Sequence, residues 1–147
     1  MSKTVATERG VTDRYWNDME STSLLNALAN INESLIDLHF CFRSNPRLKT
    51  ARHGFDLRKS GLGFRADMYV EADVAEDVSY CWWLELAVDN EGWTLKAVLL
   101  KDSENGQKVL ANLGESNGSS TESLLAAIQV AGEDVVRSGK SFEFGKN

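Results

Sequence analysis

Within this 147-residue chain, Asp67, Tyr69, Glu71 and Asp73 recur at every second position, and Trp83 and Glu85 repeat that spacing further on. Residues two apart on a β-strand share a face. These six side chains therefore read as one surface, carboxylates around two aromatics. An aromatic anchor inside a charged rim fits a protein interface. Carboxylates on neighbouring strands also have the chemistry to hold a hard cation or to act as an acid–base pair. The plainest alternative is the wet side of a half-buried antiparallel sheet, which alternation always produces.

Other constellations fall away on spacing. Gly61-Leu62-Gly63 follows no clear strand and opens no helix, so it is not a phosphate loop. Ser138-Gly139-Lys140-Ser141 has the tail of such a loop without its upstream glycine. No glycine-x-serine-x-glycine elbow is present. His39 and Cys41 lie two apart on an expected helix and so point to different faces. His53 sits among cations and reads as a surface loop residue. The two cysteines, Cys41 in an apolar run and Cys81 beside two tryptophans, read as buried free thiols. No structural zinc, metal site or cofactor is expected from this set.

The net charge of −6 is unevenly distributed. Arg43 to Arg65 holds seven cations and one acid, leaving −12 on the rest of the chain. Asp67 to Glu91 holds eight acids and no lysine or arginine. Such asymmetry speaks to partners rather than to fold. The basic stretch, with Phe55 and Phe64 as stacking groups, has some character of a nucleic-acid strip. The acidity elsewhere disfavours a polyanion. Whether the two stretches meet in the fold is left open by the sequence.

These residues need elements to position them. Residues 1–12 are expected to be frayed, and Val11 to Met19 to begin a helical turn that docks through Tyr15 and Trp16. A helix follows Ser21-Thr22-Ser23, with Leu24, Leu28, Ile31, Leu35, Leu38 and Phe42 on one face. It must stop near Ser44-Asn45-Pro46. Arg47 to Gly63 is irregular, with His53–Arg58 as a candidate short strand. Phe64 to Val74 and Val78 to Asp89 alternate apolar and polar residues. Asp89-Asn90-Glu91-Gly92 marks a hairpin with glycine available for positive φ. Trp93 to Leu100 and Gln107 to Leu113 supply a third and a fourth strand. Val98 and Leu100 leave the third strand apolar on both faces, which calls for a cover from a subunit, a partner or the chain's own ends. Gly114 to Ser120 is read as a loop, with Ser119 and Glu122 spaced as a capping box. A final helix carries Leu124, Leu125, Ile128, Ala131 and Val135, with Gly139 as its C-cap. Ser141 to Phe144 adds an edge strand or docks its two phenylalanines.

The expectation is a single α+β domain over 1–147. It comprises a four-stranded antiparallel meander with an N-terminal and a C-terminal helix packed on one face. No run approaches 18 apolar residues and no apolar leader is evident, so a cytoplasmic, membrane-free protein is expected. In size, acidity and layout the chain resembles small acidic bacterial immunity proteins that neutralise toxins, and secretion chaperones that hold effectors. That resemblance implies a non-enzymatic protein binder whose partner is a basic toxin or effector domain, and it transfers no functional residue. A homodimer is compatible with the chaperone form. The reading from another class is a small carboxylate-based or metal-dependent enzyme.

Overall fold

The computed structural model describes residues 18–144; the expectations for residues 1–12 and for Tyr15 and Trp16 lie outside them. Helix α1 (Asp18–Arg43) is followed by strands β1 (Thr50–Ser60), β2 (Gly63–Ala75), β3 (Val78–Val88), β4 (Trp93–Ser103) and β5 (Gly106–Gly118), then helix α2 (Thr121–Ser141). The strands form one antiparallel sheet in the order β1-β2-β3-β4-β5. The α+β class and the two flanking helices are as expected, but the sheet has five strands rather than four. The extra strand is β1, which pairs with β2 over eleven residues. It lies at the sheet's edge and is exposed along most of its length. Water on both faces removes the apolar alternation by which an inner strand declares itself.

The inner face of the sheet meets both helices. Ala66, Met68, Val70 and Ala72 of β2, Trp82, Leu84 and Leu86 of β3, and Ala97 of β4 are solvent-free. Leu28, Leu35 and Leu38 of α1 and Leu124, Ile128 and Val135 of α2 close over them. The helical stripe from Leu24 to Phe42 is buried throughout. Trp82 lies at the centre of this layer, and its indole N–H donates to Ser138 Oγ at 3.0 Å. Phe142 and Phe144 dock on it as rings rather than as a strand, with centroids 5.3 and 6.1 Å from Trp82. Arg47 Nη1 donates to the Phe144 carbonyl at 2.8 Å and ties down that end.

Several local expectations shift. Positive φ occurs at Gly61 and Gly106, in the β1–β2 and β4–β5 turns, and not at Gly92. The Asp89 carboxylate instead shapes its hairpin by accepting from the amides of Glu91 (2.8 Å) and Gly92 (3.0 Å). Residues 114–118 extend β5 rather than forming a loop. The helix cap is Ser120, one residue beyond the expected Ser119, and its hydroxyl accepts from the Ser123 amide at 3.1 Å.

Gly139 is not a C-cap. It is buried within α2, whose C-cap is Phe142. Five antiparallel strands separate the helices, and an odd number returns α2 parallel to α1. The helices meet where Gly132 faces Ile31 and Gly139 faces Leu38, seven residues on along each. A Cβ at Gly139 would lie 2.5 Å from Leu38 Cδ2, and Leu38 is fully buried. Gly139→Ala is therefore expected to lose about 1–2 kcal/mol, since overpacking outweighs the helix propensity of alanine. Gly114→Ala, with nothing within 4 Å of the new carbon, should stay within about 0.5 kcal/mol. Urea denaturation of the two variants checks both.

At the α1–β1 seam, the Nδ1 atoms of His39 and His53 lie 3.1 Å apart, so one ring donates to the other. Burial first, then His53 and Arg43, hold the His39 pKa below its ordinary 6.5, while a hydrogen bond to the Arg52 backbone opposes them. The unfolded chain thus takes this proton before the folded one does. The associated stability is full above pH 6.5 and is lost as pH falls below it. The melting temperature should drop over that window, and His39→Gln should flatten the drop.

Candidate functional site: the outer face of the sheet

The face away from the helices is set by register. One row runs Gly54, Tyr69, Trp83, Val98 and Asn112 across the five strands. The next runs Arg52, Glu71, Cys81, Leu100 and Val109, and the row on the other side runs Asp56, Asp67, Glu85, Lys96 and Glu115. Asp73 stands one row further out, between Thr50 and Ser79. All six residues singled out by spacing therefore share this face. Of the two adjacent tryptophans, Trp82 points inward and Trp83 outward.

The centre of the face is apolar. Val98 and Leu100 are only 8% and 6% exposed, beside half-buried Trp83, Cys81 and Tyr69. The carboxylates are not free-standing, because the basic and acidic stretches of the chain meet here. Arg52 of β1 binds Glu71 at 2.7 Å and Asp73 at 3.3 Å. Arg58 reaches Asp67 at 3.4 Å, and Arg65 pairs with Glu85. Hydroxyls add to the set: Thr50 donates to Asp73 at 2.5 Å and Ser79 to Glu71 at 3.0 Å. Asp67, almost buried, also accepts from the Trp83 indole N–H at 3.2 Å. That bond fixes the ring against the sheet.

Sequence reasoning missed Thr50, Arg52 and Arg58 as members of the face. The signal was present as Thr50, Arg52, Gly54, Asp56 and Arg58, polar or small at every second position, but it lay in a stretch read as irregular. The arginines engage the lone pairs that metal coordination or proton transfer would use. Among the described residues, no three His, Cys, Asp or Glu side chains are placed to hold a metal ion.

The compensation is local. At the end of the face formed by the β2–β3 and β4–β5 turns, a depression is lined by Glu71, Asp73, Glu76, Asp77, Asp102 and Glu104, with Arg52 the one cation among the described residues of that lining. The excess negative charge of the sheet collects there, next to the apolar centre.

The cysteines separate by environment. Cys41 is exposed, not buried as expected, and Cys81 is half-buried on the outer face; both are free thiols. Burial, and then the negative charge of Glu71, push the Cys81 thiol up to about 12. A thiol-reactive dye at pH 8 should label Cys41 promptly and Cys81 only after unfolding. Equal labelling rates for the two would contradict this environment.

In comparisons with protein-family models, curated proteins and solved structures, none matches this chain.

Proposed function

We propose that this chain is a non-enzymatic protein-binding domain that receives a basic partner on the outer face of its sheet, most sharply a bacterial immunity protein that neutralises a toxin. The observation that carries the reading is the juxtaposition on one face of an apolar band around Trp83, Val98 and Leu100 with the uncompensated acidic depression at Glu76, Asp77 and Glu104. Half-buried Trp83 and Tyr69 supply the remaining area to bury, seated on Val98 and Leu100, and the depression supplies attraction. Fixed, arginine-held carboxylates suit a charged recognition surface, because their positions are set before the partner arrives. For a nuclease toxin, the complementary surface is the one that otherwise holds phosphates. Long-range attraction then sets the rate of association, and burial of the aromatic sets the rate of release. Asp67, Tyr69, Glu71, Asp73, Trp83 and Glu85 form the contact surface in this reading. No helix among the described residues is long and apolar enough to cross a membrane, and the partner is taken to be a protein rather than a lipid surface.

The test uses the intact chain as bait in a lysate of its host, washed at low and then high salt. A single stoichiometric basic protein, weakened by salt, is the expected capture. With that protein in hand, Glu76→Lys combined with Glu104→Lys should slow association about tenfold at low salt. Trp83→Ala should mainly speed dissociation, by about tenfold or more. Co-expression should suppress any toxicity of the captured protein. Unchanged kinetics in both variants would remove this face from the binding surface.

A further inference from the structure

The two edges of the sheet differ. Along β5 the register with β4 shifts twice, between Ala97 and Val98 and between Leu99 and Leu100. Bulges of this kind twist an edge away from a foreign strand. β1 pairs with β2 through Thr50 to Ser60 without a shift, and among the described residues nothing pairs with its other side. Phe55 and Leu57 of this strand are 38% and 50% exposed. Leu57 shares a depression with Leu25 and Leu62, also exposed, and Phe55 stands two residues along on the same side of the strand.

The sequence of β1 is complementary to itself about Gly54. Arg52 and Asp56 lie at equal distances on either side, as do His53 and Phe55, Ala51 and Leu57, and Thr50 and Arg58. We infer that two copies of this chain pair antiparallel through their β1 edges with Gly54 opposite Gly54, forming a two-fold dimer with a continuous ten-stranded sheet. Arg52 of each copy, bonded to Glu71 and Asp73 of its own chain, then also faces Asp56 of the other. Asp56 has reason to take that cation: it stands opposite Asp67 in the β1–β2 register, and its pair with Arg58 is loose at 3.7 Å. Phe55 comes to rest against His53 and Leu57 against Ala51, which covers the exposed apolar side chains of the strand itself. Gly54 is required at the centre. The Tyr69 ring lies over it, and a Cβ there would fall 2.6 Å from Tyr69 Cζ and 2.7 Å from its hydroxyl. The two tyrosine rings therefore flank the dyad and join the two outer faces. Lys59 falls opposite Lys49 at each end, and that like-charge contact keeps the association reversible.

The dimer is independent of the partner reading, and its test needs no partner. Sedimentation velocity of the full chain, over a series reaching high micromolar concentration, should show monomer passing to dimer. Leu57→Lys places a charge on the inner side of the edge without touching the core. It should raise the dissociation constant about tenfold or more while circular dichroism stays native. Register is read by crosslinking in a Cys41→Ser background: Arg52→Cys mixed with Asp56→Cys should oxidise to a covalent dimer, and neither variant should do so alone. A chain that stays monomeric throughout, a dimer indifferent to Leu57→Lys, or a mixture that fails to crosslink would each overturn the inference.

Discussion

Successive side chains of a strand leave on opposite faces, and in β3 that rule separates two adjacent tryptophans. Trp82 goes inward, where both helices and the two C-terminal phenylalanines pack around it. Trp83 goes outward by necessity. The same alternation sends Leu84 and Leu86 to the core and Cys81 and Glu85 to the other side. Because β3 is the central strand, its phase propagates through the register to every neighbour. A slip of β3 by one residue would bury Glu85 and expose Trp82. The hydrophobic demand of the inner face thus fixes the composition of the outer one.

Register also decides what the charge segregation means. Seven cations followed by eight acids along the chain leave open whether the two stretches meet. A tight hairpin at Ser60–Gly63 folds the one stretch back on the other, so Arg52 meets Glu71 and Asp73, and Arg58 meets Asp67. Arg65, within the basic stretch, reaches across to Glu85. Surface pairs of this kind contribute little stability each. Their effect is to hold carboxylates in place and to confine net negative charge to one end of the face. A chain-level imbalance becomes a local and directional one.

Helix placement follows from strand number. With five antiparallel strands between them, α1 and α2 run parallel and meet along one line, at Ile31 with Gly132 and Leu38 with Gly139. A four-stranded meander would have returned the last helix antiparallel and matched different residues. The edge strand, legible in the sequence only as the candidate His53–Arg58 and left out of the expected sheet, is therefore also what gives the two buried glycines of α2 their role.

The sequence by itself determined the periodic elements: the apolar stripe of α1, the alternation of β2, β3 and β4, and the inward face of α2. Those patterns are local, because burial imposes period 3.6 on a helix and period two on a strand. It also determined which residues share a face, since Asp67, Tyr69, Glu71 and Asp73 need nothing but alternation to align, and Trp83 with Glu85 follows the same rule. Tertiary structure decided everything that depends on a second strand or helix. An edge strand wet on both sides shows no apolar alternation, so only His53–Arg58 of β1 was legible as a candidate strand, and its full length from Thr50 to Ser60 and its place in the sheet appeared through its pairing with β2. Gly139 looks like a cap until Leu38 is seen against it. Above all, the state of the acidic face rested on contacts between residues eight to twenty-three positions apart, and only the hairpin that brings Arg52 and Arg58 onto those carboxylates settles which charges remain unmatched.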